Sequence, residues 1–206
     1  MTLELVFPAA GTALPTDHAY LPYAALSGVV PRFHEAGTAL RFAPVTGVGV
    51  PGGRLQLDDY SVLRVRLPDD AVRVALPLAG KRLAVGDAGV RLGVPAVRTL
   101  EPAASLYARL VTFKNADTPG QFLATARAKL AELGVAGEPQ LPVHPDGERA
   151  GEPRRRVVRV KGVAIVGYAL IVAGLSAADS VTLQESGLGG RTHFGCGFFL
   201  PLKGAK

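Results

Sequence analysis

Tryptophan is absent from this chain, cysteine and methionine occur once each, and aromatic residues make up 6% of its 206 positions. So few aromatics exclude a broad platform on which nucleic-acid bases stack. The lone thiol, Cys196, cannot close an internal disulfide and has no metal-ligand spacing around it, so a small buried side chain is its expected role. The four histidines, His18, His34, His144 and His193, form no H-x-x-x-H motif, and neither C-x-x-C nor a carboxylate cluster accompanies them. No metal and no cofactor are therefore expected. A G-x-S-x-G elbow, a phosphate-binding G-x-x-x-x-G-K-[ST] loop and a strand-led dinucleotide fingerprint are all missing, which excludes three large enzyme classes on motif grounds. No basic segment followed by an apolar run opens the chain, so no signal peptide is expected. The longest apolar stretch, residues 163–175, is too short to span a bilayer. A cytoplasmic protein without a membrane partner is the expectation.

What is present is a large core and a surplus of positive charge. Hydrophobic residues reach 48%, which rules out general disorder, and 206 residues suffice for one large domain or two small ones. The net charge of +6 favours a polyanionic partner. With 25 glycines and 16 prolines the chain is expected to form many short elements joined by turns.

Residues 3–7 alternate as a first strand ended by Pro8. Thr16 or Asp17 can cap a helix reaching about Phe33, with Tyr23, Leu26, Val30 and Phe33 on its apolar face; Pro22 places its true start near Leu21. A strand at residues 40–45, a half-buried strand at 62–67, a short helix after Asp69 and Asp70, and a hairpin at 82–92 complete a β-α-β-β-(α)-β order. Residues 93–101 read as a linker. A strand at 105–113 follows, then a helix announced by Thr118-Pro119-Gly120-Gln121, a capping box with proline at the first helical position. Residues 137–153 read as a mobile loop, 155–160 and 164–172 as strands, and Ser176 with Asp179 as another helix start. The order repeats, so the expected class is α+β, two tandem ferredoxin-like (RRM-like) halves at 1–97 and 98–206.

The second half closes on Gly187-Leu188-Gly189-Gly190-Arg191-Thr192-His193-Phe194-Gly195-Cys196-Gly197-Phe198-Phe199. Glycine permits positive φ and close backbone approach, and successive N–H groups in such a loop can cradle an anion. Arg191 and His193 inside it point to a phosphate chain. A purely structural turn between helix and strand is the other reading. A second basic element, Arg154-Arg155-Arg156-Val157-Val158-Arg159-Val160-Lys161, puts Arg155, Arg159 and Lys161 on one strand face with Val157. That face is either a solvated edge or a stripe for the phosphates of a polyanion.

The stretch from Gly174-Leu175-Ser176 through Leu183-Gln184-Glu185-Ser186 to the Gly-Leu-Gly-Gly and Gly-Cys-Gly segments resembles the C-terminal glycine-rich loop of CRISPR-associated repeat-RNA processing endoribonucleases of the RAMP superfamily. At the other end, Asp17-His18-Ala19-Tyr20, Tyr23-Ala24-Ala25-Leu26-Ser27 and Pro31-Arg32-Phe33-His34-Glu35 resemble the first helix of the family's myxan-subtype members. The two blocks cover roughly a third of the chain. The resemblance implies two ferredoxin-like halves and metal-independent cleavage of CRISPR precursor RNA within repeats. The 2′-hydroxyl would attack the adjacent phosphate and leave a 2′,3′-cyclic phosphate. It places a general base at the end of the first helix, where His34 stands and would act as base or acid; imidazole accepts and donates protons near neutral pH. A surface histidine near a helix end is the alternative. His18 and Tyr20 are candidate assistants; Tyr20 and Tyr23 are alternatives for orienting the ribose or supplying a proton, although Tyr23 fits the core face, and Arg41 is placed to offset phosphate charge. Gly187, Gly189, Gly190, Arg191 and His193, with the basic strand, would hold backbone phosphates and a repeat stem-loop. Subunits of a CRISPR interference complex are further partners the resemblance allows. Two rival readings stay open: a non-catalytic RAMP-type RNA-binding subunit, and a ferredoxin-like interaction module.

Overall fold

β1 (Thr2–Ala10) is the central strand of the first half. In this computed structural model, which describes residues 1–16, 20–35, 39–160 and 163–202, it pairs antiparallel with β6 on one side and with two strands on the other. Around it lie β2 (Ala13–Pro15), α1 (Tyr20–Val29), β3 (Arg41–Ala43), β4 (Val48–Val50), β5 (Arg54–Gln56), β6 (Val62–Pro68), α2 (Val72–Ala75), β7 (Arg82–Val85), β8 (Ala88–Leu92) and β9 (Ala96–Thr99). The main sheet runs β3-β6-β1-β8-β7, with β9 also on β1; β2, β5 and β4 form a small sheet of their own.

Several expectations are corrected here. Pro8 does not end β1. It falls where the partner changes from β9, opposite residues 3–6, to β8, opposite Ala9 and Ala10, an interruption of the kind that tolerates proline. The stretch read as a linker contains β9, whose Thr99 pairs with Leu3. α1 stops at Val29 because Val30, preceding Pro31, is extended at φ −127° and ψ 90°, and a separate 3₁₀ turn, Pro31–His34, follows. Asp17, one of the two expected caps, lies outside the described residues. Leu5, Phe7, Phe42, Leu63, Val65 and Leu67 line the buried face of the sheet, and Leu26, Val30 and Phe33 belong to the same core.

The second half contains β10 (Ser105–Val111), α3 (Pro119–Glu132), β11 (Glu138–Gln140), β12 (Arg155–Val160), β13 (Val163–Ala173), α4 (Ala177–Ser186) and β14 (Phe199–Pro201). Its sheet runs β11-β13-β10-β14, with β12 on the N-terminal part of β13. The capping box at α3 forms as read: Thr118 accepts from the Gln121 N–H and Gln121 accepts from the Thr118 N–H. Phe122, Ala126 and Leu130 are buried against Leu106, Ala108, Leu170 and Val172, whereas Leu133 is left at the margin. The segment read as a mobile loop is partly ordered pairing, since β11 joins β13 and His144 bonds back to Glu152 and Gly151.

The chain divides into two compact units, 1–99 with 193–195, and 100–192 with 196–206. Three residues from the glycine stretch thus group with the first unit.

Candidate nucleic-acid interface

The glycine stretch begins as a helix ending. Ser176 caps α4 by accepting from the Asp179 N–H at 3.1 Å, and Gly187, at φ 64°, closes it by donating to Leu183 O. Beyond that point the loop is fitted against β10. The Gly190 N–H donates to Thr112 O at 2.8 Å, and Thr112 Oγ1 donates to Gly190 O at 3.1 Å. The Gly197 N–H donates to Leu110 O at 2.8 Å. Gly189 is at φ 86°, and a Cβ there would stand 2.6 Å from Thr112 O; one on Gly197 would stand 2.1 Å from Leu188 O. The close approach that requires glycine at these two positions is thus made by the protein's own carbonyls. Gly190 differs: its φ is ordinary, it is exposed, and an added Cβ would meet Thr112 O only at 3.7 Å.

Side chains, not glycines, point the loop's chemistry outward. Arg191 is exposed and sits at φ 58°, one of two non-glycine residues described with positive φ. His193, on the 3₁₀ turn Thr192–Phe194, is exposed too. Within the first unit its ring lies 5.5 Å from Tyr23 and 4.0 Å from Phe194, and Tyr23 meets Phe194 edge-on at 5.0 Å. Tyr23 therefore packs against the core, as its helical position suggested, and also carries an imidazole that the sequence alone did not connect to it.

Tyr20 opens α1, and His34 closes the 3₁₀ turn after it. Ten residues at about 1.5 Å each separate the two ends of the helix by roughly 14 Å. His18 lies outside the described residues. Arg32 and Glu35, on either side of His34, form an exposed ion pair at 3.5 Å. Arg41 stands on β3 opposite Arg66, half-buried, and desolvation lowers its pKa from the usual arginine value.

That row of the sheet holds what the sequence reading missed. Arg64 and Arg66 alternate with Leu63, Val65 and Leu67, which reads as a solvated face, yet Arg66 is only 2% exposed. Glu4 on β1, paired opposite Arg66, accepts from Arg66 Nε at 2.9 Å through one oxygen and from Arg64 Nη1 at 2.6 Å through the other. Burial still dominates at Arg66, pulling its pKa down to about 10 despite the attraction of Glu4. The only sequence signal was Glu4 itself, a carboxylate between Leu3 and Leu5.

In β12, Val158 is fully buried while Arg155 and Val157 face outward, Val157 being 42% exposed. The register pairs Arg155 with Tyr168, Val157 with Val166 and Arg159 with Ala164, so Arg155, Val157 and Arg159 occupy alternate positions of the strand. Lys161 lies outside the described residues. Among the described residues no group of three His, Cys, Asp or Glu side chains is placed to hold a metal ion, and no helix is long and apolar enough to cross a membrane.

Comparison with known proteins places the chain. The family model described as Cas6 Crispr matches residues 3–204. A protein of Myxococcus xanthus named CRISPR-associated endonuclease Cas6 is 41% identical over 199 residues, 97% of this chain and 81% of the relative. Among solved structures, an RAMP protein described as binding different RNA substrates aligns at TM-score 0.68 and 15% identity, over 98% of this chain and all of that one. A CRISPR associated protein Cas6 aligns at TM-score 0.65 and 12% identity, over 98% and 99%. At those identities the structures speak for the fold: a mixed α+β architecture of antiparallel sheets with few helices. With the family match spanning nearly its whole length, the chain belongs to the Cas6 family of CRISPR-associated endonucleases.

Proposed function

We propose that the protein cuts CRISPR precursor RNA within its repeats, without a metal ion, by attack of a ribose 2′-oxygen on the adjacent phosphorus. The observation that carries this reading is the 41% identity, over 97% of the chain, to the CRISPR-associated endonuclease of Myxococcus xanthus. The bond from phosphorus to the 5′-oxygen breaks as the new bond forms, leaving a 2′,3′-cyclic phosphate and a free 5′-hydroxyl. His34 takes the proton from the 2′-hydroxyl, with Tyr20 or His18 assisting, and Arg41 offsets charge on the phosphate.

RNA is held by Arg155, Arg159 and Lys161 and by the glycine loop. There Gly187 and Gly189 set the backbone shape, Gly190 offers an open approach, and Arg191 and His193 present their side chains. Contacts to phosphates position the RNA, and a repeat stem-loop is recognised chiefly through its A-form shape. Each half is read as ferredoxin-like, with the base in 1–97 and the phosphate-holding elements in 98–206. The strand orders β3-β6-β1-β8 and β11-β13-β10-β14 support this, because among the four strands of each set, taken in chain order, the first lies between the third and the fourth. The place of work is the cytoplasm, and subunits of an interference complex are partners downstream of cleavage.

Incubation of labelled repeat RNA with the protein in EDTA tests the reading. Cleavage to a cyclic-phosphate end, blocked by a single 2′-deoxy substitution at the cut, is the expected result. Tight binding without cleavage would make the protein a non-catalytic RNA-binding subunit, and no salt-sensitive binding would make it an interaction module. His34→Ala should slow single-turnover cleavage by about 10²–10⁴ with repeat affinity nearly unchanged; undiminished cleavage removes His34 from the mechanism.

A further inference from the structure

Transesterification by a 2′-hydroxyl moves two protons. One leaves the 2′-oxygen, and one must reach the 5′-oxygen as its bond to phosphorus breaks. His34 accounts for the first in the proposed function, on which this inference rests. We propose that His193 is the catalytic acid that supplies the second.

His193 belongs to the glycine stretch by sequence but groups with the unit that contains α1. Its ring lies against Tyr23, one helical turn beyond Tyr20, where α1 begins. Phe194 packs on both rings, at 4.0 Å from His193 and 5.0 Å from Tyr23, so the imidazole leans on a fixed aromatic surface. It is nonetheless exposed. A histidine serving only the core would be covered.

The backbone takes left-handed conformations on each side, one at a non-glycine residue and one at a glycine that leaves no room for a side chain. Arg191 stands at φ 58°, a left-handed geometry uncommon for a residue with a side chain. Gly195 stands at φ 77°, where an added Cβ would lie 2.7 Å from Pro44 Cδ and 3.2 Å from Phe42 O. The chain thus turns sharply just before and just after the 3₁₀ turn that carries His193. An uncommon conformation at Arg191, two residues before an exposed titratable side chain, fits a preorganised catalytic group. Imidazole is also the side chain best suited to deliver a proton near neutral pH.

The experiment separates acid catalysis from packing and from RNA holding. His193→Phe keeps an aromatic ring against Tyr23 but has no proton to give; His193→Gln keeps polarity. Single-turnover cleavage is measured on repeat RNA and on the same RNA with sulfur replacing the bridging 5′-oxygen at the cut, since a thiolate leaves without being protonated. Melting temperature and affinity for the 2′-deoxy repeat are read on the same preparations.

Both variants are expected to melt like the unaltered protein and, with protein saturating over RNA, to cut ordinary RNA about 10²–10⁴ more slowly, a loss far larger than any change in affinity for the 2′-deoxy repeat. On the sulfur substrate their rates should return close to that of the unaltered protein. Undiminished cutting of ordinary RNA overturns the proposal, as does a loss explained by weaker binding or one that sulfur does not restore. Failure of both variants to fold would make His193 a packing residue and overturn it too. If the unaltered protein cuts no repeat RNA, the endoribonuclease reading itself falls, and this inference falls with it.

Discussion

Replacing Glu4 by glutamine preserves the shape of the side chain and removes its charge, and the surrounding geometry fixes what that does. The carboxylate is 8% exposed and accepts from two arginines with separate oxygens, Arg64 Nη1 at 2.6 Å and Arg66 Nε at 2.9 Å. Arg66 is 2% exposed and keeps its proton at neutral pH, because burial lowers its pKa only to about 10. Glu4→Gln therefore strands a buried guanidinium beside a neutral amide, a change that typically costs about 3–5 kcal/mol. The Arg127–Glu138 pair provides the control. At 2.7 Å it is shorter than the Arg66 interaction, but its side chains are 54% and 58% exposed, so Glu138→Gln should cost under about 1 kcal/mol. Distance alone ranks the exposed pair above Arg66–Glu4, and burial reverses the order. For a chain of this size, roughly 2–4 °C of melting temperature accompanies each kcal/mol, so Glu4→Gln should lower the midpoint by about 6–20 °C and Glu138→Gln by less than about 4 °C. Thermal melts followed by circular dichroism would measure both. Equal shifts would refute the reasoning.

Two more outcomes follow from the binding surfaces. Removing the charges of Arg155, Arg159 and Lys161 should weaken matched and mismatched RNA alike and lower the salt slope by roughly 0.7 for each single-stranded phosphate that is no longer neutralised; an unchanged slope would mean that β12 meets no phosphate. Gly190→Ala, at an ordinary φ and with 3.7 Å to the nearest carbonyl, should leave the melting temperature unchanged and weaken repeat binding, measured by filter retention. Unchanged affinity would show that the loop acts through its side chains alone.

How far the sequence could be read depended on how local each determinant was. The capping box of α3 spans four residues, and its partners are written side by side, so helix start and type were legible. The end of α1 was legible in principle from Pro31, but the apolar spacing of Val30 and Phe33 continued across it and masked the break. β9 was hidden for the opposite reason. Its partner is β1, more than ninety residues earlier, and Gly93 and Pro95 nearby carry stronger turn signals than Ala96–Thr99 carries strand signals. Arg66 was illegible because alternation reports which residues share a face and is silent on whether that face is covered. The candidate site divides in the same way. His34 and the basic strand were visible as residue types in order, whereas the approach of His193 to Tyr23 joins residues 170 positions apart that no periodicity connects.

The glycine stretch shows why one signal in a sequence has more than one physical cause. Glycine marks a place where something comes too close for a Cβ, and in sequence that visitor can be a ligand or the protein itself. At Gly189 and Gly197 it is the protein: Thr112 O and Leu188 O fill the space at 2.6 and 2.1 Å. A bulky residue at Gly189 would thus collide with β10 before any RNA arrived, and weaker binding would follow from damaged structure. The consequence for function is a change of division of labour. In the second unit the loop is tied down at Gly190, which donates to Thr112 O, and at Gly197, which donates to Leu110 O. Within its own unit the His193 imidazole is placed by Tyr23 and Phe194, and in the proposed reaction proton transfer depends on that placement more than on affinity. Under the proposed function these glycines shape the loop, and Arg191 and His193 are the side chains it presents to RNA, a division that the Gly190→Ala measurement tests.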